Sequence, residues 1–448
     1  MTFAGPRLGA RAVLALAIAL GVCAATSIHA TRDAVANPAV DVATDAKEDL
    51  SSGAPSGAEE EIRALWVLRT SLTTPEHIAT LVRSARDHGF NTLLVQVRGR
   101  GDAYYLGGLE PRATDLLRQP ETFDPLASVL KAGHAAGLRV HAWVNVNLIS
   151  SATDLPAARE HVVYRHPGWL MVPRDIAQDL AKLEPESPAY VGKLARWTRA
   201  QPADVEGLYT SPVLPAAAAY TESIVRDLVR RYAVDGIHLD YARYPSDKFD
   251  YSRPAIREFR ATVRGSLSAS VRRSLDADEA DDLFAYPDRF PGEWRTFRVA
   301  RMTALMGRLH ATVKRERPQA LVSVAVAPNM QDAFRVRLQD WGAWLATGLI
   351  DAICPMAYTT DAAQFAEQIA AAREAAGTRE VWAGIGAYRL PPGETVANIR
   401  TARRLGANGV ILFSYDSLID PRQSSPDYLS AVARAAFTTT SAGPAGPR

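Results

Sequence analysis

The chain has 448 residues, 47% hydrophobic and 22% charged, which supplies a large buried core and excludes a fibrous or wholly disordered protein. Lys and Arg number 51 against 49 Asp and Glu, a net charge of +2, and they are dispersed along the chain. The basic footprint of a nucleic-acid binder is therefore missing.

Residues 1–30 read as a signal peptide. Arg7 and Arg11 give a positive start, the apolar run from Ala12 to Val22 follows, and small residues lead to Ala30. That run is shorter than the roughly 20 residues needed to span a bilayer, so cleavage is expected rather than a permanent membrane span. The expected location is periplasmic or secreted. Cys23 stands where a lipid-modified cysteine would, but Val22 rather than a small residue precedes it, which argues against a lipoprotein. Only Cys354 would remain after cleavage, excluding an internal disulfide. Residues 31–58, rich in Ala, Asp, Ser, Gly and Pro without hydrophobic periodicity, read as a flexible linker, and residues 438–448 as a disordered tail.

Between them, residues 59–437 alternate short β-branched runs with amphipathic stretches. The predicted strands begin at Ile62, Asn91, Leu138, Val234, Leu321, Ile350, Val381 and Gly409. Helices between them carry start and stop signals, as in PEHIATLVRSARDHG, with Pro75 early and Gly89 just past the end. Eight such units predict an α/β (β/α)8 TIM barrel. The long intervals at about 148–220 and 244–295 follow strands three and four, which extends the face where barrel active sites lie. A doubly wound open sheet is the weaker reading, since no Gly-rich phosphate turn is present.

Strand parity separates inward from outward side chains. Leu93, Val95 and Val97 share one face, leaving Gln96 and Arg98 on the other. Val140, Ala142 and Val144 share a face opposite His141, Trp143 and Asn145. Ile237 and Leu239 would face the helices, directing His238 and Asp240 inward. Arg98, Asn145 and Asp240 therefore end their strands on the inner face, where barrel chemistry is done. Deeper in the strands, Gln96, His141 and His238 are expected to form a hydrogen-bonded network. Arg98 and Arg243 are the cations expected to compensate Asp240. Tyr104, Tyr105, Trp143, Tyr241, Tyr244, Tyr358, Tyr388 and Tyr415 lie at or beyond strand ends, and aromatic faces of this kind stack on sugar rings. No HExxH, paired CxxC or GxSxG occurs, so no metal and no cofactor is expected.

In QVRGRGDAYYLGGLEP, HAWVNVN, YAVDGIHLDYARYP, LIDAICPMAY and GANGVILFSYDSL the chain resembles the bacterial glycosyl hydrolase-like 10 barrel family, in order from about residue 61 to 437. The resemblance implies a glycosidase acting on cell-wall or surface glycans, some members being similar to enzymes that cleave peptide-free peptidoglycan strands. It implies that Asp240 is the catalytic carboxylate, with Arg98, Asp102, Asn145, Arg243 and Tyr358 lining the cleft. Two departures stand out. Tyr241 follows Asp240 where many members have a second aspartate, and Asn145, Val146, Asn147 and Leu148 replace the family's usual Asn-Pro-Tyr-Arg.

A glycosidase ordinarily uses two carboxyl groups. Asp102, Asp361 and Asp416 are the loop candidates for the second. The other solution is attack by the substrate's own N-acetyl group. DGIHLD together with PMAY is similar to chitinase-like barrels, which implies that Met356 and Tyr358 contact an acetamido group. Trp143, Tyr241 and Tyr415 complete the expected substrate-binding set. The competing readings are a catalytically silent glycan-binding protein of the envelope, and a glycosidase for an exopolysaccharide or α-linked glycan.

Overall fold

The computed structural model describes residues 60–437; the expected signal peptide, linker and tail lie outside them. Eight parallel strands close into one barrel in the order β1-β2-β3-β4-β5-β6-β7-β8. They are β1 (Ile62–Val67), β2 (Thr92–Arg98), β3 (Arg139–Asn145), β4 (Gly236–Asp240), β5 (Leu321–Val326), β6 (Ala352–Ala357), β7 (Glu380–Ile385) and β8 (Gly409–Leu412). All eight predicted strands are present, each beginning within two residues of its expected position. The Pro75–Asp87 helix shows why local signals suffice: Thr74 accepts from the His77 N–H, and Pro75 opens the first turn.

Parity holds on β3 and β4. Val140, Ala142, Val144, Ile237 and Leu239 belong to the main core between sheet and helices, while Trp143 belongs to a separate cluster inside the barrel with Trp66, Tyr358 and Trp382. On β2 parity fails at one point. Gln96 pairs with Trp143 and Arg98 with Val144, so a bulge at Val97 places two residues opposite one. Arg98 is thereby turned out of the inner set.

The deep polar residues divide. His238 accepts from the Trp66 indole N–H at 2.9 Å and bonds Ser323 at 2.9 Å, and Gln96 accepts from Arg69 at 2.8 Å. His141, by contrast, is fully buried with neither ring nitrogen partnered, and burial holds its pKa down to about 4. It packs edge-on against Trp382 at 5.6 Å as a neutral ring, outside the network expected for it.

The two long insertions fold against each other. Ile149, Val163, Leu180, Tyr190 and Leu194 from the first, and Tyr251, Ile256, Phe259 and Leu283 from the second, share one hydrophobic cluster capped by Trp294. This second core stands on the site side of the barrel, since both insertions leave strand carboxyl ends. Among the described residues no helix is long and apolar enough to cross a membrane.

Candidate active site

Asp240 is the last residue of β4 and pairs in register with Asn145, the last of β3. Tyr241, at φ +51°, turns the chain sharply, and its N–H donates to Asp240 Oδ1 at 2.6 Å. A left-handed tyrosine costs of order 1–3 kcal/mol, the kind of strain concentrated at functional turns. Asp240 is only 7% exposed. Burial pushes its pKa up to about 6, and the Glu206 charge adds to this, against the opposing pull of Arg243, the Tyr241 N–H and the Trp143 indole. A carboxylic acid is thus held protonated into the weakly acidic range, as a general acid requires.

Around it stands an aromatic wall. Tyr358 stacks on Phe413 at 5.3 Å and meets Trp66 edge-on at 6.2 Å and Tyr388 at 6.3 Å. Burial, then the nearby Asp240 charge, raise the Tyr358 hydroxyl well above its ordinary pKa, so it remains a donor. Met356, half-buried, packs against the same cluster. Trp143 donates to Asn145 Oδ1 at 3.0 Å, and Asn145 Nδ2 donates to the Gly99 carbonyl at 2.7 Å, which fixes both side chains beside Asp240.

The second carboxylate near Asp240 is one the sequence did not flag. Glu206, in the first insertion, accepts from Arg243 at 2.8 Å through one oxygen and from the Tyr209 hydroxyl at 2.6 Å through the other. Burial alone would raise its pKa, but Arg243, Tyr209 and Arg337 outweigh it and hold the group down at about 2. Glu206 is consequently ionised when Asp240 carries its proton. Arg243 lies 4.6 Å over the Tyr241 ring, and its Nη1 is buried without a hydrogen-bond partner.

Two expected cleft residues are elsewhere. Arg98 is fully buried behind the sheet; Nε and Nη2 grip Glu110 at 2.7 Å each, and Nη1 donates to the Asn145 and Val146 carbonyls. It fixes the backbone under the site, a consequence of the β2 bulge. Tyr415 is 2% exposed in the outer core, within hydrogen-bonding reach of Ser84, because it opens a short helix on the far side of β8.

The three loop aspartates serve the backbone. Asp102 accepts from the Arg100 N–H at 3.0 Å. Asp361 caps its helix through Ala363 and Gln364. Asp416 accepts from Leu68 N, Thr70 and Ser71 and so pins the turn after β1. Among the described residues no three His, Cys, Asp or Glu side chains converge as metal ligands would.

The model of the family described as Glycosyl hydrolase-like 10 matches residues 61–391. The chain belongs to that family. Relatives of this Glycosyl hydrolase-like 10 protein include "Glycosyl hydrolase YngK" of Bacillus subtilis, 23% identical over 205 residues, which is 42% of this chain and 34% of that protein. "Glycosyl hydrolase DigH" of Escherichia coli O6:H1 is 24% identical over 288 residues, 60% of this chain and 55% of that one. The matched stretches thus span about a third to a half of those relatives' own lengths. Among solved structures, the glycoside hydrolase domain of PgaB (BpsB) from Bordetella bronchiseptica superposes at TM-score 0.58 and 15% identity, covering 85% of this chain and all of that domain. Alpha-L-fucosidase isoenzyme 2 from Paenibacillus thiaminolyticus superposes at TM-score 0.54 with 15% identity, covering 84% of this chain and 49% of the other. These likenesses concern the barrel fold.

Proposed function

We propose that this Glycosyl hydrolase-like 10 protein is an exported glycosidase that cleaves N-acetylated cell-wall glycan strands, with Asp240 as general acid. The observation that carries the reading is the Asp240 carboxyl itself: it sits at the mouth of the barrel, nearly buried, among tryptophan and tyrosine rings, with its proton retained to about pH 6. Family membership and the names of the relatives support glycosidase chemistry. The N-terminal reading as an export signal makes envelope glycans the accessible substrate.

In the proposed reaction the acetamido carbonyl oxygen of the substrate attacks the anomeric carbon as Asp240 gives its proton to the departing glycosidic oxygen. The bicyclic ion that results is opened by water, whose proton returns to Asp240. Met356 would pack on the acetamido methyl group, and the Tyr358 hydroxyl would hold its oxygen in line. Glu206, tied to Arg243, serves as a fixed negative charge rather than as the second proton donor. Arg243 and Tyr241 frame the cleft on the same side.

Digestion of purified peptide-free glycan strands, read by mass, tests this. New N-acetylated oligosaccharides are expected. Inert strands alongside turnover of a deacetylated exopolysaccharide or an α-linked glycan would reject the substrate, and binding without any cleavage would reject the enzyme.

A further inference from the structure

We propose that Arg69 and Arg100 form a subsite for a carboxylate carried by the glycan, next to the bond that Asp240 protonates. This rests on the glycosidase reading above and goes beyond it by assigning an acidic sugar to one position of the strand.

Arg100 follows the β2 carboxyl end in a loop whose backbone is held on both sides. Its N–H donates to Asp102 at 3.0 Å, and its carbonyl accepts from His161 Nε2 at 2.8 Å. The next residue, Gly101, has φ +69°, and a side chain there would lie 2.5 Å from the His161 ring. The loop therefore admits only glycine at that point. Yet the half-buried Arg100 guanidinium makes no hydrogen bond and no ion pair among the described residues. Its own burial and the neighbouring Arg69 charge both disfavour its cationic form. Asp102, the acid within electrostatic reach, has one oxygen committed to the backbone.

Arg69 comes from the turn after β1 and bears on the same loop. It lies across Gly99, where an added Cβ would fall 2.7 Å from its Nη1. That nitrogen donates to Gln96 at 2.8 Å, and the turn bearing Arg69 is pinned by the three bonds to Asp416. Neither arginine has a carboxylate partner among the described residues. Gln96 reaches towards Asn145 at 3.5 Å, and Asn145 faces Asp240 across the β3–β4 register, so Arg69 connects to the acid's neighbour through one side chain. Arg100 also lies within electrostatic reach of Tyr241, the residue after Asp240.

Two neighbouring cations, neither hydrogen-bonded to a carboxylate, are a ready site for an anion, and guanidinium groups suit a carboxylate because their parallel N–H groups match its two oxygens. Two sugar chemistries supply one: a lactyl ether acid on an N-acetylated hexosamine, free only where no peptide is attached, and a hexuronate.

Titration calorimetry with wild type, Arg100→Gln and Arg100→Lys distinguishes them. The ligands are a muramoyl disaccharide with its carboxyl free, the same disaccharide as the methylamide, and an N-acetylhexosaminyl hexuronate. Wild type is expected to bind a free acid about tenfold tighter than the methylamide. Arg100→Gln should remove that preference by weakening only the acid, and Arg100→Lys should keep part of it. The tighter of the two acids identifies the source. Equal affinity of wild type for acid and methylamide, absence of binding to either acid, or a loss in Arg100→Gln shared by acid and amide overturns the subsite. The glycosidase reading fails separately: wild type that prefers the acid yet releases no reducing ends sinks hydrolysis and leaves the subsite standing.

Discussion

Glu206 and Arg243 are joined at 2.8 Å, and both bear electrostatically on Asp240 with opposite sign. The negative partner favours the protonated acid and the positive partner its anion, so the pair together leaves burial as the dominant influence on the Asp240 proton. Glu206→Gln should unbalance it. With Arg243 uncompensated, the Asp240 pKa falls, and because a general acid works only while protonated, activity should be lost at lower pH than in wild type. The measurement is the basic limb of the pH–rate profile. A limb that stays in place contradicts this role for Glu206.

The raised Asp240 pKa also has a signature in stability. A carboxyl with a folded pKa of about 6 against an ordinary 3.8 favours the fold below the ordinary value and loses that contribution as pH rises through 6. Asp240→Asn does not titrate, so it should match wild type near pH 4 and exceed it at pH 8 by on the order of 2 kcal/mol. Urea denaturation at the two pH values reads the difference directly. A gap that does not widen with pH would place the carboxyl in a more hydrated setting than the structure gives it.

Arg98 is expected to behave as part of the framework. Its two bonds to Glu110 are buried at both ends, so Arg98→Met should cost about 3–5 kcal/mol by stranding Glu110. Replacing both partners by apolar residues, as in Arg98→Met with Glu110→Leu, should restore most of it. Substrate KM measured on the folded fraction should barely move. A large rise in KM at full stability would instead return Arg98 to the cleft.

Tyr358→Phe removes a hydroxyl placed beside Asp240 without disturbing the ring contacts to Phe413 and Trp66. If that hydroxyl steadies the acetamido oxygen as it attacks, kcat on N-acetylated strands should fall about a hundredfold with little change in KM. Steady-state kinetics on one defined oligosaccharide checks it, and an unchanged kcat removes Tyr358 from the reaction.

Most of the architecture was legible in sequence because it rests on local regularities: eight β-branched runs, helix start and stop residues, and period-two parity, which set Trp143 and Asp240 apart from Val144 and Leu239. What was not legible depends on geometry with no periodic signature. The bulge at Val97 inserts one residue into the register and reverses the face of Arg98, although QVR reads as unbroken alternation. Glu206 lies in an aperiodic stretch of an insertion and acquires meaning only through Arg243, 37 residues later. Tyr415 looked like a strand-end aromatic, but β8 stops at Leu412, and the chain has turned outward by the time it is reached. The packing of the two insertions on each other joins residues from opposite sides of β4, which no local pattern foretells.

The most direct test of the whole account is Asp240→Asn assayed on peptide-free glycan strands by reducing-end release, with circular dichroism to show an intact barrel. A folded variant with activity at least a thousandfold below wild type, on the order expected for losing the proton donor, is the predicted result. A folded variant that releases reducing ends at the wild-type rate would contradict it.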